Sequence, residues 1–191
     1  KEIAKLGFGK LDISIEDSIA AQIAVESLSS PQLMQYICLN ICTMLEMSGS
    51  ENHQIRQEIL ETAYHYTTAN FEYGDVVSLM QKGPNTRGKS RNTFQTADGQ
   101  EHDIYELIVK SIAENPPIMK LKFEDVRERI YRLLADDCKK PSPQMIRESL
   151  AKLKELLYGR EDIFKVLDWK EGSLYILDPL FLLYLRWGGA H

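Results

Sequence analysis

The stretch SPQMIRESLAKLKELLYGREDIFKVLDWKEGSLYILDPLFLLYLRW, residues 142–187, decides the fold. Ser142-Pro143 reads as a helix start: a hydroxyl accepts from first-turn amides, and the fixed φ of proline suits the first helical position. Ile146, Leu150, Leu153 and Leu157 follow at spacings of four, three and four, which puts them on one face of a helix over 142–158. Two short apolar runs come next, at 163–169 and 174–177, joined across Glu171-Gly172. Such runs around a glycine-containing pair predict a β-hairpin. Phe164, Val166 and Asp168 alternate with Lys165, Leu167 and Trp169, and apolar content on both sides predicts a hairpin only partly solvated. Asp178-Pro179 closes the unit. In the apolar run 180–187, Phe181, Leu182, Tyr184, Leu185 and Trp187 are expected to pack back on the same domain.

Working outward, 139–141 reads as a turn. A helix over 124–134 turns Val126, Ile130 and Leu133 inward, and 119–123 is short and extended. Before it, a helix over 102–113 carries Ile104, Leu107, Ile108, Ser111 and Ile112 and ends at Asn115-Pro116-Pro117. Helix, strand, helix, turn, helix, hairpin is the order of a winged helix.

The first block reads as all-helical. Ser14 with Asp17 three residues on is a capping-box-like start, followed by Ile19, Ala20, Ile23 and Ala24. Ser30-Pro31 opens a second helix, with Leu33, Tyr36, Ile37, Ile41, Met44 and Leu45 through about Met47, where Ser48-Gly49 stops it. A third helix is expected over 53–69 and a shorter one over 74–81. From 83 to 101 apolar residues nearly vanish, while Lys82, Arg87, Lys89 and Arg91 bring positive charge. That composition predicts a flexible linker. The expected organisation is a helical domain over 1–82, a linker over 83–101 and a winged-helix domain over 102–191. The fold class is therefore mainly α: a helical bundle, then a winged helix-turn-helix domain with a small β-hairpin.

Composition narrows the function. The net charge is −5, with 8 basic and 12 acidic side chains in residues 1–100 and 15 and 16 in residues 101–191. No broad cationic surface follows, so any nucleic-acid contact must come from a local patch. No apolar run has the length of a membrane span, and no membrane partner is expected. Three cysteines do not form a disulfide framework; Cys38 and Cys42 share a helix face and read as small buried hydrophobes of the reducing cytoplasm. The chain begins at Lys1, without an initiator Met, and is expected to be a piece of something longer. No phosphate loop, nucleophile elbow or pair of metal-binding histidines is present, and His53, His65 and His102 each stand alone. The reading is non-enzymatic, with no catalytic residue, no metal site and no cofactor. His191, after Gly188-Gly189-Ala190, reads as a frayed tail or tag remnant.

The candidate nucleic-acid-binding residues are cations around the helix over 142–158. Lys139 and Lys140 precede it, Arg147 and Lys152 lie on its exposed face with Gln144, Glu148, Ala151 and Glu155, and Lys170 sits at the hairpin tip. Arg87, Lys89 and Arg91 of the basic stretch are further candidates for phosphate contact. Across 136–171 the basic and acidic side chains balance at 8 each, which supports a protein-contact role almost as well.

Gly9-Lys10-Leu11-Asp12-Ile13, a helix, then Ser29-Ser30-Pro31-Gln32-Leu33-Met34-Gln35 opening a second helix, resembles the helical lid of prokaryotic AAA+ ATPases of the origin-recognition and STAND-like type. Those ATPases often continue into a winged helix, and bacterial members can end in a segment like 174–187. The resemblance implies that Pro31, Gln32 and Gln35 face the nucleotide, although residues 31–35 lack the arginine that many such lids carry there. It implies an upstream ATPase domain holding ATP and Mg, since the Walker motifs are absent from this chain. It implies that nucleotide state is coupled to a winged helix that binds DNA. The alternative is a protein-interaction or oligomerisation module with no nucleic-acid affinity, and a stand-alone DNA-binding regulator is a third.

Overall fold

The computed structural model describes residues 1–47, 54–86, 88 and 90–189. Among these the chain is mainly helical, with two small antiparallel sheets. In chain order the elements are α1 (Glu2–Gly9), α2 (Asp17–Glu26), α3 (Pro31–Met47), α4 (Gln57–Thr68), α5 (Gly74–Lys82), β1 (Thr93–Gln95), β2 (Glu101–Asp103), α6 (Ile104–Ala113), β3 (Lys120–Lys122), α7 (Phe123–Leu133), α8 (Pro143–Tyr158), β4 (Leu167–Lys170), β5 (Ser173–Ile176) and α9 (Pro179–Trp187). They divide into two compact units: Lys1–Phe71 with Pro179–Gly189, and Glu72–Asp178.

In the first unit, α3 starts as its sequence predicts, the Ser30 hydroxyl accepting from the Leu33 amide at 3.3 Å. The capping box expected at Ser14 does not form. Ser14 is held in a parallel bridge with Gln54, and α2 begins three residues later after extended Glu16, with no side-chain cap. The core gathers Phe8 of α1, Ile23 of α2, Leu33, Ile37 and Ile41 of α3, Leu60 and Tyr64 of α4, and Leu183 of α9. Helix α1, unassigned from the sequence, contributes Ala4 and Phe8 at 1 % exposure each. The terminal helix contributes Leu183 to this core, with Leu180 and Trp187 packed against it, and Trp187 sets its ring on Tyr64 at 4.8 Å. The anticipated stop at Ser48-Gly49, His53, and the tail residue His191 lie outside the described residues.

In the second unit, α6 carries a complete capping box: Asp103 accepts from Tyr105 and Glu106 amides at 2.8 and 3.1 Å, and Glu106 accepts from the Asp103 amide at 2.8 Å. At the other end, buried Arg129 of α7 donates to the carbonyls of Ser111, Glu114 and Pro116, supplying partners for a helix terminus that has no further amides. Helix α8 begins at the Ser142 cap, whose hydroxyl accepts from Met145 at 3.1 Å. Its predicted apolar face is realised, with Ile146, Leu150, Leu153 and Leu157 all at 0 % exposure. Strands β3, β5 and β4 form one antiparallel sheet in that order. The turn between β4 and β5 is the two-residue Glu171-Gly172, with φ of 51° and 68°, as the tightest hairpins require. The hairpin is shorter than expected. Leu167 opens β4, while Phe164, two residues after the Arg160–Asp162 ion pair, stays outside the ladder and 65 % exposed.

The expected linker is also different. Residues 93–103 fold back as the β1–β2 hairpin, with Phe94 and Thr96 at 5 % and 4 % exposure. The hairpin is tied to the end of α7 by Ala97 N–H to Leu133 O and Ala135 N–H to Gln95 O. Buried Phe94 and Thr96 and these ties to α7 anchor the hairpin within a tract whose overall composition is polar. The unit boundaries consequently fall at 71/72 and 178/179 rather than at 82/83 and 101/102.

Candidate functional site

The cations singled out in the sequence fall into separate groups on the second unit. Lys139 and Lys140 lie just before α8 and are exposed, Lys140 with its Nζ 5.3 Å from the Tyr131 ring. With Arg91, Asn92, Phe94, Ser142 and Met145 they line a groove of about 540 Å³. An adjoining groove of about 520 Å³ runs between residues 84–86 and 90–92 and α8, and includes Lys152, Met145 and Ser149. The structure therefore brings Arg91 and its described neighbours alongside the start of α8, which sequence distance alone does not suggest.

Arg147 projects from another side of α8. Its guanidinium carbon stands 3.4 Å from the centroid of the Phe123 ring, with Arg127 at 5.9 Å from the same ring. The Phe123 amide donates to Gly172 O at 2.9 Å, so the hairpin turn, the start of α7 and Arg147 meet there. A guanidinium stacked on a ring is held in place while its N–H edge stays available. Between these cations, Gln144 donates to Glu148 at 2.7 Å, and Glu155 is exposed.

Arg91 is engaged by several groups of its own unit. Its guanidinium donates to Lys82 O at 2.7 Å, to Pro84 O and to the Asp103 carboxylate at 2.7 Å, and lies 4.7 Å from the Tyr105 ring centroid. It pins the loop to the end of α5 and the start of α6. Arg87 and Lys89 lie outside the described residues.

Lys170 stands apart from the α8 cations, with its Nζ 5.2 Å from the Tyr175 ring. Lys120 of β3 approaches the same ring at 4.9 Å, and exposed Lys122 pairs in register with Ser173. Lys120, Lys122 and Tyr175 were not singled out in the sequence. Lys120 and Lys122 flank buried Leu121 in β3, and only the register with β5 brings Tyr175 beside them. Lys154 of α8 pairs with Asp168 at 2.7 Å, and that hydrogen bond holds its pKa above the ordinary lysine value. In the first unit, Pro31, Gln32 and Gln35 are exposed on the first turns of α3, beside buried Leu33 and Met34.

No helix among the described residues is long and apolar enough to cross a membrane. Comparison with protein-family models, with curated proteins and with solved structures gives no match.

Proposed function

We propose that the second unit is a winged helix that binds duplex DNA with α8, as the effector end of an AAA+ or STAND-like ATPase. The observation that carries this reading is the placement of cations along one exposed helix. Lys139 and Lys140 lie at its capped start, and Lys152 and Arg147 lie farther along it on two sides. Phosphates on either side of a groove need cations so arranged, and those contacts set register and orientation without reading bases. The element order α6-β3-α7-α8-β4-β5 with sheet order β3-β5-β4 supports the winged-helix assignment. The lid-like start of the first unit, with Pro31, Gln32 and Gln35 exposed, supports the ATPase assignment. In that reading ATP and Mg bind to a domain supplied from outside this sequence, and this chain transmits the nucleotide state.

The test is a set of exposed substitutions. Arg147→Gln, Lys152→Gln and the pair Lys139→Gln/Lys140→Gln are expected to weaken duplex binding and lower its salt slope by about 0.9 per lost contact. Unchanged affinity and slope in all three would contradict the reading. Glu148 and Glu155 on the same face favour a second reading, in which α8 docks on a basic protein surface. Absence of duplex binding at low salt, with a mass that rises with concentration in light scattering, would favour that one.

A further inference from the structure

We propose that the solvent face of the β3-β5-β4 sheet binds single-stranded nucleic acid. The inference uses residues other than the α8 cations and does not depend on duplex binding by that helix. Register places Lys120, Tyr175 and Asp168 in one row across the sheet and Lys122, Ser173 and Lys170 in the next. Alternation along each strand puts both rows on the same face. Leu121 and Leu174, at 0 % exposure, lie on the opposite, core face, with Trp169 packed edge-on to Phe123 at 6.4 Å.

That face carries three exposed lysines around one half-buried aromatic ring. Lys120 and Lys170 come at the ring from neighbouring strands, with Nζ to centroid distances of 4.9 and 5.2 Å. Asp168, the acid in these rows, is matched by Lys154 at 2.7 Å, so the three lysines dominate the face. Lys120 and Lys122 are about 7 Å apart along β3, the scale of successive phosphates on an extended strand, and Lys170 lies about 10 Å across the sheet from Lys122. Cations beside an aromatic platform are the chemistry that holds single strands, because every base has a face to stack and every nucleotide a phosphate to pair. A duplex keeps its base faces stacked and presents only phosphates to such a surface. Ring and lysines together therefore select the single strand. The lysine ends are flexible enough to leave the ring as a base arrives.

The experiment uses the full chain and fluorescein-labelled oligo-dT, oligo-U and a mixed-sequence duplex, titrated by anisotropy at several salt concentrations. Binding of oligo-dT, oligo-U or both supports the proposal, and their ratio separates DNA from RNA. The triple variant Lys120→Gln/Lys122→Gln/Lys170→Gln is expected to lower the single-strand salt slope by about 2. Tyr175→Leu is expected to weaken single-strand binding by roughly tenfold or more, while Tyr175→Phe retains it. Should Tyr175→Leu fail to fold, the lysine variant, confined to exposed side chains, still decides. The α8 variants are expected to leave single-strand binding unchanged, so failure of this proposal and failure of duplex binding by α8 read out separately. No single-strand binding at low salt, or binding indifferent to the lysine variant, would overturn it.

Discussion

Arg186 and Glu26 are 160 residues apart in sequence and form a two-pronged ion pair within one unit: Nη2 donates to Oε1 at 2.6 Å and Nε to Oε2 at 3.0 Å. Their side chains are 7 % and 9 % exposed. The neighbouring Trp187 indole donates to the same carboxylate at 3.1 Å, and its carbonyl lies 2.5 Å from His65 Nδ1. The last helix is thus a structural part of the first unit, and residues 72–178 form a second unit set between two segments of the first.

Breaking this pair on one side leaves a buried charge without its partner. Arg186→Met or Glu26→Gln is expected to destabilise the first unit by about 3–5 kcal/mol in urea unfolding. The double variant is expected to cost less than the sum of the singles. Additive losses would show that the two side chains act independently.

Arg91 offers a direct check on its structural assignment. Arg91→Met removes donors to two carbonyls and to Asp103, and is expected to lower the stability of the second unit by about 1–3 kcal/mol. Thermal unfolding measures this. If stability were unchanged and the duplex salt slope fell, Arg91 would be a phosphate contact after all.

Gly83 closes α5 at φ 57°, and a β-carbon there would come 2.6 Å from the Tyr105 ring. Gly83→Ala therefore meets both backbone strain and a clash with a buried ring. Destabilisation of about 1–3 kcal/mol is expected by denaturant titration. A neutral result would mean that the loop and Tyr105 separate easily.

Burial pushes the Cys38 thiol up from 9.0 to about 11, with Cys42 adding to the shift. A raised folded-state pKa means that the folded form holds the proton more tightly. The corresponding stability is fully present below pH 9 and is lost as pH rises through about 11. Unfolding midpoints followed from pH 8 to 11 are expected to fall, and Cys38→Ala to flatten that fall. Equal slopes in both proteins would contradict it.

Much of this architecture was legible because local signals agreed with the packing. Ser30-Pro31 and Ser142-Pro143 each started the helix they announced, and the four leucine and isoleucine positions of α8 are all in the core. What was not legible depended on distant partners. The run 180–187 reads as apolar whatever it packs on, and only the placement of Glu26 and Tyr64 ties Arg186 and Trp187 to the first unit. Phe94 looked like an isolated apolar residue in a polar tract until its strand paired with Glu101–Asp103. At the candidate site, the cations of α8 could be named from helical spacing. Lys120, Lys122 and Tyr175 could not, because a three-strand register gathers residues more than fifty positions apart.

The most direct test of the central claim is anisotropy of the unmodified chain with a labelled duplex, titrated from low to moderate salt. The account predicts binding whose logarithm falls linearly with the logarithm of salt, with a slope of about −3 to −4 for the four cations Lys139, Lys140, Arg147 and Lys152. No binding at low salt, or binding indifferent to salt, would contradict it.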